Sequence, residues 1–265
     1  MTSNGTSYSR DGVAVIRGLL SDSQVEELAS LLEEAPAVAS PMASELGSTD
    51  GRFFNDFNTW RRNPRIRDFL GSRTLVEVGP KLVGTKSVRL FHDHILIKEG
   101  LSPETPWHQD RPYYLVSGSK NYSIWMSPEP VAREEGLEFI RGSHLTETLY
   151  LPVNFKDGSE MIETTGSLFS SLNGEELERW LSTHECIGYD LDAGDAIVFD
   201  NRILHRARRS ANPVARRALS IRYLGEDARL TWLGVNQTPP LHRMGLKFSE
   251  GDEPPDAWFP QLLPH

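Results

Sequence analysis

The first third of the chain carries apolar residues at helical spacing. A short strand is predicted over Val13–Leu19, followed by a helix that begins at Ser21, where Gln24 completes a capping-box pattern. Pro36 ends this helix, because a proline in its interior would remove a backbone hydrogen bond. A second helical stretch is predicted over Pro64–Val83, where apolar residues again fall on one face.

From residue 87 onward, apolar positions alternate with polar ones in short segments separated by Gly, Pro and Asp, which is typical of strands. The predicted strands are Val88–Lys98, Tyr122–Ser127, Leu137–Ile140, Glu185–Leu191, Asp195–Phe199 and Arg217–Leu224. A helix is predicted over Gly174–Leu181. Helices followed by many short strands favour a mainly β fold, an antiparallel β-sandwich or jelly roll with N-terminal helices packed on one sheet.

The length of 265 residues suits one large β domain, and no repeat, low-complexity tract or Gly/Ser linker divides the chain. We therefore predict a single domain over residues 1–265. The polar residues 1–10 are expected to form a flexible tail. Residues 155–182 and 226–265 are the segments expected to cover the mouth of the fold.

The net charge of −9 argues against binding to nucleic acid or to an anionic membrane, since both need a basic face. A local exception is a run of arginines, most of which we expect at solvated strand ends: Arg202, Arg206, Arg208, Arg209, Arg216, Arg217 and Arg222. No stretch reaches the roughly 18 consecutive apolar residues of a membrane-spanning helix.

Cys186 is the only cysteine, so neither an intrachain disulfide nor a zinc site built from cysteines can form. The N-terminus is polar and lacks the apolar core of a signal peptide. We therefore expect a cytoplasmic protein. Our further expectations are a monomer or homodimer and a small-molecule substrate, without nucleic acid or membrane.

Candidate metal ligands occur in two distant parts of the chain. His108 and Asp110 are two residues apart, so in an extended segment both side chains point to the same side and can reach one ion. His205, 97 residues downstream, follows a strand-like segment that a jelly roll can place beside His108. Two histidines and a carboxylate bind one face of an octahedron and leave three positions open, as in non-haem iron oxygenases. These three residues therefore predict an iron(II) site.

Arg216 is the candidate for binding a co-substrate, because it lies eleven residues after His205 at the start of a predicted strand. 2-Oxoglutarate chelates iron through its keto acid end. Its far carboxylate then needs a planar bidentate donor, which arginine supplies better than lysine. We therefore expect 2-oxoglutarate and dioxygen as co-substrates.

These residues resemble the phytanoyl-CoA dioxygenase family. The resemblance rests on His108-Gln109-Asp110, on the spacing of His205 and Arg216, and on 135–144, which is similar to that family's NG-L-x-x-x-PGSH strand and turn. The Asp11-Gly12-Val13 opening is also similar, so the matches span about residues 10–225. The resemblance implies a double-stranded β-helix, the cupin-like jelly roll. It also implies that the histidines and aspartate bind iron and that the arginine binds the distal carboxylate of 2-oxoglutarate.

The resemblance implies further pocket residues. Trp125 would line the co-substrate pocket, and His94 on the preceding strand would lie beside 2-oxoglutarate. Ala207 stands two residues after His205, where many relatives have a serine that helps to hold the co-substrate, and Ser220 is expected to replace it.

Two further departures from the family pattern fall in the turn before Gly-Ser-His. Arg141 replaces the usual proline, and Glu134–Glu135 replaces the usual asparagine. These changes should alter the turn but not the iron ligands.

Aromatic and basic residues near the metal motif are candidates for substrate contacts. Arg111, Tyr113 and Tyr114 are expected to border the pocket. Aromatic residues elsewhere are candidates for a lid: Phe53, Phe54 and Trp232. Such a mouth favours a ring-bearing or extended organic substrate. The resemblance implies a role in small-molecule metabolism, such as the tailoring of natural products.

The expected reaction is hydroxylation, or cyclisation, epimerisation or desaturation where the substrate radical is kept from rebound. Halogenation is not expected, because Asp110 occupies the position that a halide would need.

Two alternatives remain open from the sequence. His92, His94 and Glu99 mimic a cupin ligand set, although the later cupin motif with its Pro-x-Gly is absent. A jelly-roll binding module without turnover would contain the same histidines as structural residues, but it has no need for the spacing of Arg216.

Overall fold

The computed structural model describes residues 3–48, 51–102, 104–155, 158–161, 168–208, 215–233 and 237–264. Its α-helices are α1 Ser3–Asp11, α2 Asp22–Glu34, α3 Pro64–Leu70, α4 Arg73–Val76 and α5 Gly174–Thr183. Its strands are β1 Val13–Ile16, β2 Ser44–Ser48, β3 Gly51–Phe57, β4 Val88–Gly100, β5 Thr105–His108, β6 Val116–Ser117, β7 Tyr122–Met126, β8 Leu137–Ile140, β9 Leu149–Tyr150, β10 Phe169–Ser170, β11 Cys186–Gly188, β12 Ala196–Asp200, β13 His205–Ala207, β14 Arg216–Leu224, β15 Arg229–Leu230 and β16 Gln261–Leu263.

Two antiparallel sheets form the body of the fold. The larger has eight strands in the order β1-β12-β7-β14-β4-β3-β2, with β16 also paired to β4. The smaller has the order β11-β8-β13-β5. One apolar cluster joins the facing sides of both sheets and includes Trp125, Phe139, Ile197 and Phe199. This architecture confirms the predicted jelly roll.

The helices pack on the other side of the large sheet. Ser21 and Gln24 form the predicted capping box, in which the Ser21 hydroxyl accepts from the Gln24 backbone and the Gln24 side chain accepts from the Ser21 backbone. The apolar stripe of α2 joins a core cluster with outward-facing residues of β7, β12 and β14. Among the described residues, the structure contains no helix with the length and hydrophobicity of a membrane-spanning segment.

Residues 3–10, expected to belong to a flexible tail, lie in the helix α1. Tyr8 on α1 is buried in the same core cluster as α2 and anchors this helix to the fold. Gly12 then turns the chain into β1 with φ of +79° and donates its N–H to the Tyr8 carbonyl at 2.8 Å.

The stretch 64–83 is helical but interrupted, unlike the single helix predicted there. The backbone N–H of Gly71 caps the end of α3. A separate π-helical turn over Gly79–Val83 contains Pro80, which lacks the N–H that a continuous α-helix would require at that position.

Strands β2, β3 and β5 were not predicted. The β2–β3 hairpin extends the large sheet beyond β4, with Phe57 opposite His94 and Phe53 opposite Lys98. Four consecutive buried residues in β3 obscure the alternation that identifies a half-exposed strand.

Candidate metal centre

Three side chains converge on one point between the sheets. His108 ends β5 and lies directly opposite His205 on β13, and the centroids of their rings are 4.2 Å apart. One ligand atom from each of His108, Asp110 and His205 lies within 4.8 Å of the others, and all three residues are buried. This is the only such group of metal-ligating side chains in the described ranges.

Backbone carbonyls orient both imidazoles. Nδ1 of His108 lies 2.8 Å from the carbonyl of Pro106, and Nδ1 of His205 lies 3.0 Å from the carbonyl of Ile203. Because Nδ1 donates to these carbonyls, Nε2 of each ring carries a free lone pair. Each Nε2 lies 3.8 Å from Oδ1 of Asp110. The rings are therefore held in the tautomer that can bind a metal through Nε2.

The two oxygens of Asp110 have different partners. Oδ1 faces the imidazoles, whereas Oδ2 lies 3.3 Å from Nη2 of Arg222 and accepts from the Ser123 hydroxyl at 3.4 Å. Arg222 also donates from Nε to the Tyr114 hydroxyl at 2.8 Å. The carboxylate is thus fixed from behind, with one oxygen left for an ion.

The electrostatics of the centre favour metal binding. Burial would raise the pKa of Asp110, but the charge of Arg222 and the two imidazoles outweigh this effect and hold its pKa below the ordinary value. Burial, with His205 beside it, lowers the pKa of His108 to about 3, and burial also lowers the pKa of His205. Neutral imidazoles and an ionised carboxylate are the states that bind a divalent ion.

Gln109, between the candidate ligands His108 and Asp110, ties their loop to neighbouring segments. Its amide nitrogen donates to the carbonyls of Thr148 and Arg202 at 3.2 and 2.9 Å, and its oxygen accepts from the Tyr150 backbone at 3.0 Å. The link to Arg202 connects this loop to the turn that precedes His205.

The Gly-Ser-His turn supports the third candidate ligand, His205. The Ser143 hydroxyl donates to the Ile140 carbonyl at 2.7 Å and accepts from the Leu204 N–H at 2.9 Å, directly before His205. Arg141, in place of the usual proline, pairs with Glu185 at the surface and does not reach the metal ligands.

A cavity of about 430 Å³ opens beside the three candidate ligands and has mainly apolar walls. The residues expected around the site that do line it are His94, Tyr113, Tyr114, Trp125, Ser220 and the lid candidate Phe53. Tyr113 also anchors one wall, because its hydroxyl donates to the Val153 carbonyl at 2.8 Å.

The inner wall of the cavity, and the strand β14 beyond it, carry polar atoms without protein partners. Nε2 of His94, Oγ of Ser220 and Nη1 of Arg216 are buried and have no hydrogen-bond partner among the described residues. Ser220 faces His94 across the β14–β4 ladder. Arg216 lies four residues before Ser220 on the same side of β14, beyond the residues that line the cavity. Unpaired buried polar atoms are costly, and a polar ligand in the cavity would satisfy them.

Three other candidates lie outside the cavity wall. Arg111 is buried and contacts the Tyr114 carbonyl at 3.5 Å. Trp232 is 48% exposed and packs against His242. Phe54 belongs to the core beneath the helices.

Several site residues were missed from the sequence. Arg222, expected at a solvated strand end, is buried in the site and holds Asp110. His92 and Phe155 also line the cavity, and the Phe155 ring lies 4.7 Å from that of His108. The polar residues at alternate positions of β4 and β14 were the available signal, since alternate residues of a strand share one face.

The cupin-type ligand set does not assemble. His92 and His94 point inward, but Glu99 lies on the opposite face of β4, because it is an odd number of residues away from them. Glu99 pairs with Arg52 at 3.0 Å.

Solved structures with the same fold cover almost the whole chain. The epimerase SnoN in complex with Fe³⁺, α-ketoglutarate and nogalamycin RO has a TM-score of 0.77 at 21% identity, covering 98% of this chain and 97% of that one. The carbocyclase SnoK from nogalamycin biosynthesis has a TM-score of 0.75 at 19% identity, covering 98% of this chain and 96% of that one. EctD from S. alaskensis with bound Fe has a TM-score of 0.72 at 18% identity, covering 96% of this chain and 87% of that one. These likenesses establish the fold.

Sequence comparison gives the family. No curated protein matches the chain. The profile of the phytanoyl-CoA dioxygenase (PhyH) family, however, matches residues 8–218, well over half of the 265 residues. The chain therefore belongs to the phytanoyl-CoA dioxygenase family and is an oxidoreductase of the dioxygenase class.

Proposed function

We propose that this chain is an iron(II)- and 2-oxoglutarate-dependent oxygenase that oxidises a small organic molecule, with His108, Asp110 and His205 as the iron ligands. The observation that carries the proposal is the convergence of two imidazole nitrogens and one carboxylate oxygen beside a buried cavity. Two histidines and a carboxylate on one face of an ion leave positions for a co-substrate and dioxygen.

2-Oxoglutarate is the co-substrate that fits the inner wall. Its distal carboxylate would accept from Arg216, and the unpaired atoms of His94 and Ser220 lie between that arginine and the metal ligands. Trp125, opposite Ser220 in the β14–β7 ladder, would form the apolar side of this subsite.

Iron(II), 2-oxoglutarate and dioxygen together supply an oxidant that removes a hydrogen atom from a substrate carbon. The chain contributes positioning: Arg222 keeps one oxygen of Asp110 turned away from the ion, and the carbonyls behind His108 and His205 fix both rings. Apolar walls limit the water near the reacting atoms.

The substrate would occupy the outer part of the cavity. Its volume and aromatic walls suit a ring-bearing or extended organic molecule. The SnoN structure contains nogalamycin RO, and that enzyme is an epimerase, which supports a role in tailoring a natural product. Hydroxylation is the default outcome, and cyclisation, epimerisation or desaturation would follow where the substrate radical is held away from rebound.

The segments proposed to cover the mouth lie partly outside the described residues. Within them, Phe155, Met161 and Thr238 line the cavity. We further propose that all 265 residues form one domain, acting as a cytoplasmic monomer or homodimer without nucleic acid or membrane, which the net charge of −9 and the single cysteine support.

An anaerobic titration tests the proposal. Addition of iron(II) and 2-oxoglutarate should produce a weak visible charge-transfer band, and one iron should bind per chain. The variant His108→Ala should lose iron and the band, while His92→Ala should keep the iron. Asp110→Ala should also lose succinate production coupled to a substrate. Full iron binding in His108→Ala would overturn the assignment of the ligands.

A further inference from the structure

His92 lies at the metal end of the cavity wall. Its side chain is 1% exposed and lines the cavity. In the β4–β14 ladder it is opposite Arg222, the arginine that holds Asp110. His94 and Ser220, which are proposed to contact 2-oxoglutarate, form the next inward-facing row of the ladder. His92 therefore lies beside the metal centre and outside the set of residues proposed for the co-substrate.

The ring of His92 is held in one orientation. Nδ1 lies 3.3 Å from the carbonyl of Asp93, and because a carbonyl can only accept, Nδ1 is the nitrogen that carries the proton. The rings of Phe91 and Tyr114 meet the imidazole edge to face, with centroids 4.5 and 5.4 Å away. Nε2 therefore presents a lone pair in a fixed position.

This lone pair has no partner inside the protein. Nε2 of His92 is buried and makes no hydrogen bond within the part of the chain that the structure describes. A buried acceptor without a donor is unfavourable, and most such atoms in folded proteins are paired. A donor on a molecule bound in the cavity would pair it.

The charges around His92 restrict the kind of donor. Burial, and then the charge of Arg222, lower the pKa of the imidazole to about 3, while Asp110 acts less strongly in the other direction. The ring is therefore neutral at pH 7. A carboxylate has no proton to donate to Nε2, and the charge of Arg222 disfavours an ammonium group. A neutral hydroxyl group meets both conditions.

The other walls of the cavity suit a ring that carries such a hydroxyl. Aromatic side chains line much of it: Phe57, Tyr113, Tyr114, Trp125 and Phe155. A ring bound among these side chains buries apolar surface, and a single hydrogen bond then fixes its orientation.

We infer that Nε2 of His92 accepts a hydrogen bond from a hydroxyl group of the substrate, so that the cavity selects a neutral, hydroxylated, ring-bearing molecule. This inference rests on the proposed function, because it identifies what the cavity admits as the substrate. A site that pairs a buried acceptor with a substrate hydroxyl discriminates against the analogue that lacks the hydroxyl, since the acceptor is then left unpaired.

Two naphthalene derivatives are matched probes for this contact. 2-Naphthol is neutral at pH 7 and has a hydroxyl donor, whereas in 2-methoxynaphthalene a methyl group replaces the hydroxyl hydrogen. Calorimetry with the full chain gives both dissociation constants, once for the metal-free protein and once anaerobically with iron(II) and 2-oxoglutarate. The quantity compared is the dissociation constant of 2-methoxynaphthalene divided by that of 2-naphthol.

Three variants isolate the acceptor. His92→Phe removes it and keeps an aromatic ring of similar size, whereas His92→Gln replaces it by an amide oxygen that also accepts. Phe155→Leu is the control, because it changes an apolar part of the same cavity.

The ratio of dissociation constants should be about tenfold to hundredfold larger in the wild type than in His92→Phe, because only the wild type has an acceptor that the methoxy compound leaves unpaired. His92→Gln should keep part of this preference. Phe155→Leu should weaken the binding of both probes and leave their ratio at the wild-type value.

An equal ratio in the wild type and His92→Phe would overturn the role of His92, as would failure of the wild type to bind 2-naphthol. Neither result affects the charge-transfer band that tests the proposed function. A preference that depends on His92 in the metal-free protein, without a band after addition of iron(II) and 2-oxoglutarate, would instead overturn the oxygenase assignment. The two failures are therefore distinguishable.

Discussion

At the scale of single residues, strand register assigns opposite tasks to neighbouring arginines. Arg216 and Arg222 point into the jelly roll from β14, where one has an unpaired donor and the other holds Asp110. Arg217, between them in sequence, points outward and donates to Glu129 at 2.8 Å. Chemically identical side chains thus differ in role because successive residues of a strand point to opposite faces of the sheet.

Replacement of Arg216 by leucine should weaken 2-oxoglutarate binding by at least about a hundredfold, because a charge-assisted bidentate contact is lost in a dry site. Binding is measured by the charge-transfer band in the anaerobic iron(II) protein. Arg217→Leu is the matched control and should leave the dissociation constant unchanged. Equal effects of the two changes would remove Arg216 from the subsite.

Replacement of Arg222 by methionine should weaken iron(II) binding by about 10- to 100-fold, since residues that orient a metal ligand contribute this much to affinity. Without the guanidinium, the Asp110 carboxylate keeps only neutral partners, the hydroxyls of Ser123 and Tyr114, behind it. Iron affinity is measured by competition with a chelator.

The matched control is Arg208→Met, which breaks a surface pair with Glu138 and should leave iron affinity unchanged. Arg222→Lys should recover part of the loss. An iron affinity equal to that of the wild type in Arg222→Met would show that Asp110 is oriented without it.

Arg222 illustrates what the sequence could not provide. The spacing of His108, Asp110, His205 and Arg216 identified a candidate site, because those residue types have few other reasons to occur together. An arginine at the end of an alternating strand predicts solvent exposure, and its burial follows only once β14 is placed against β4 and β7.

At the scale of elements, the junction of α1 and β1 packs against the Gly-Ser-His turn of the β8 end. A Cβ on Gly12 would lie 2.4 Å from Nδ1 of His144, in addition to its φ of +79°. Nε2 of His144 lies 3.2 Å from the Ser9 carbonyl, so this imidazole is held on the opposite side as well. Two family motifs that are far apart in sequence therefore support each other directly.

Gly12→Ala should lower the free energy of unfolding by about 1–2 kcal/mol for the left-handed backbone, plus about 1–3 kcal/mol for the clash with His144. Gly18→Ala isolates the first effect, because Gly18 has φ of +56° and open space around it. Both are measured by denaturant unfolding of the metal-free protein. Equal losses in the two variants would show that His144 moves aside at no cost.

Elements with strong local signals were predicted well. The capping box placed the start of α2, and β8 has the predicted bounds Leu137–Ile140. The hairpin of β2 and β3 was missed because its identity comes from pairing with β4, a contact between distant parts of the chain. Local periodicity carries no information about such a partner.

At the scale of the whole molecule, the interior holds several imidazoles in the neutral form. Burial lowers the pKa of His92 to about 3, and it also lowers the pKa values of His94, His144 and His205. In the unfolded chain these groups titrate near pH 6.5. The unfolded state therefore binds more protons than the folded state below that pH, and stability falls as pH falls.

The metal-free protein should lose up to about 1.4 kcal/mol of stability per buried histidine for each pH unit between pH 6 and 5. The loss is measured by denaturant unfolding at several pH values. His92→Gln should reduce the slope of the unfolding free energy against pH by up to the equivalent of one bound proton, because glutamine cannot titrate. A stability that is constant from pH 6 to 5 would contradict the neutral burial of these rings.

Two groups of elements line the cavity, and this has a consequence for how its choice of substrate can change. The candidate metal ligands come from β5, the loop after it and β13 in the smaller sheet, whereas Ser44, Leu46 and Phe53 come from the hairpin at the edge of the larger sheet and Phe155 from a separate segment. An edge hairpin can change in length or composition without disturbing the pairing of interior strands. Selection can therefore alter which molecule is accepted while the reactive centre is inherited unchanged, consistent with an epimerase and a carbocyclase sharing this architecture.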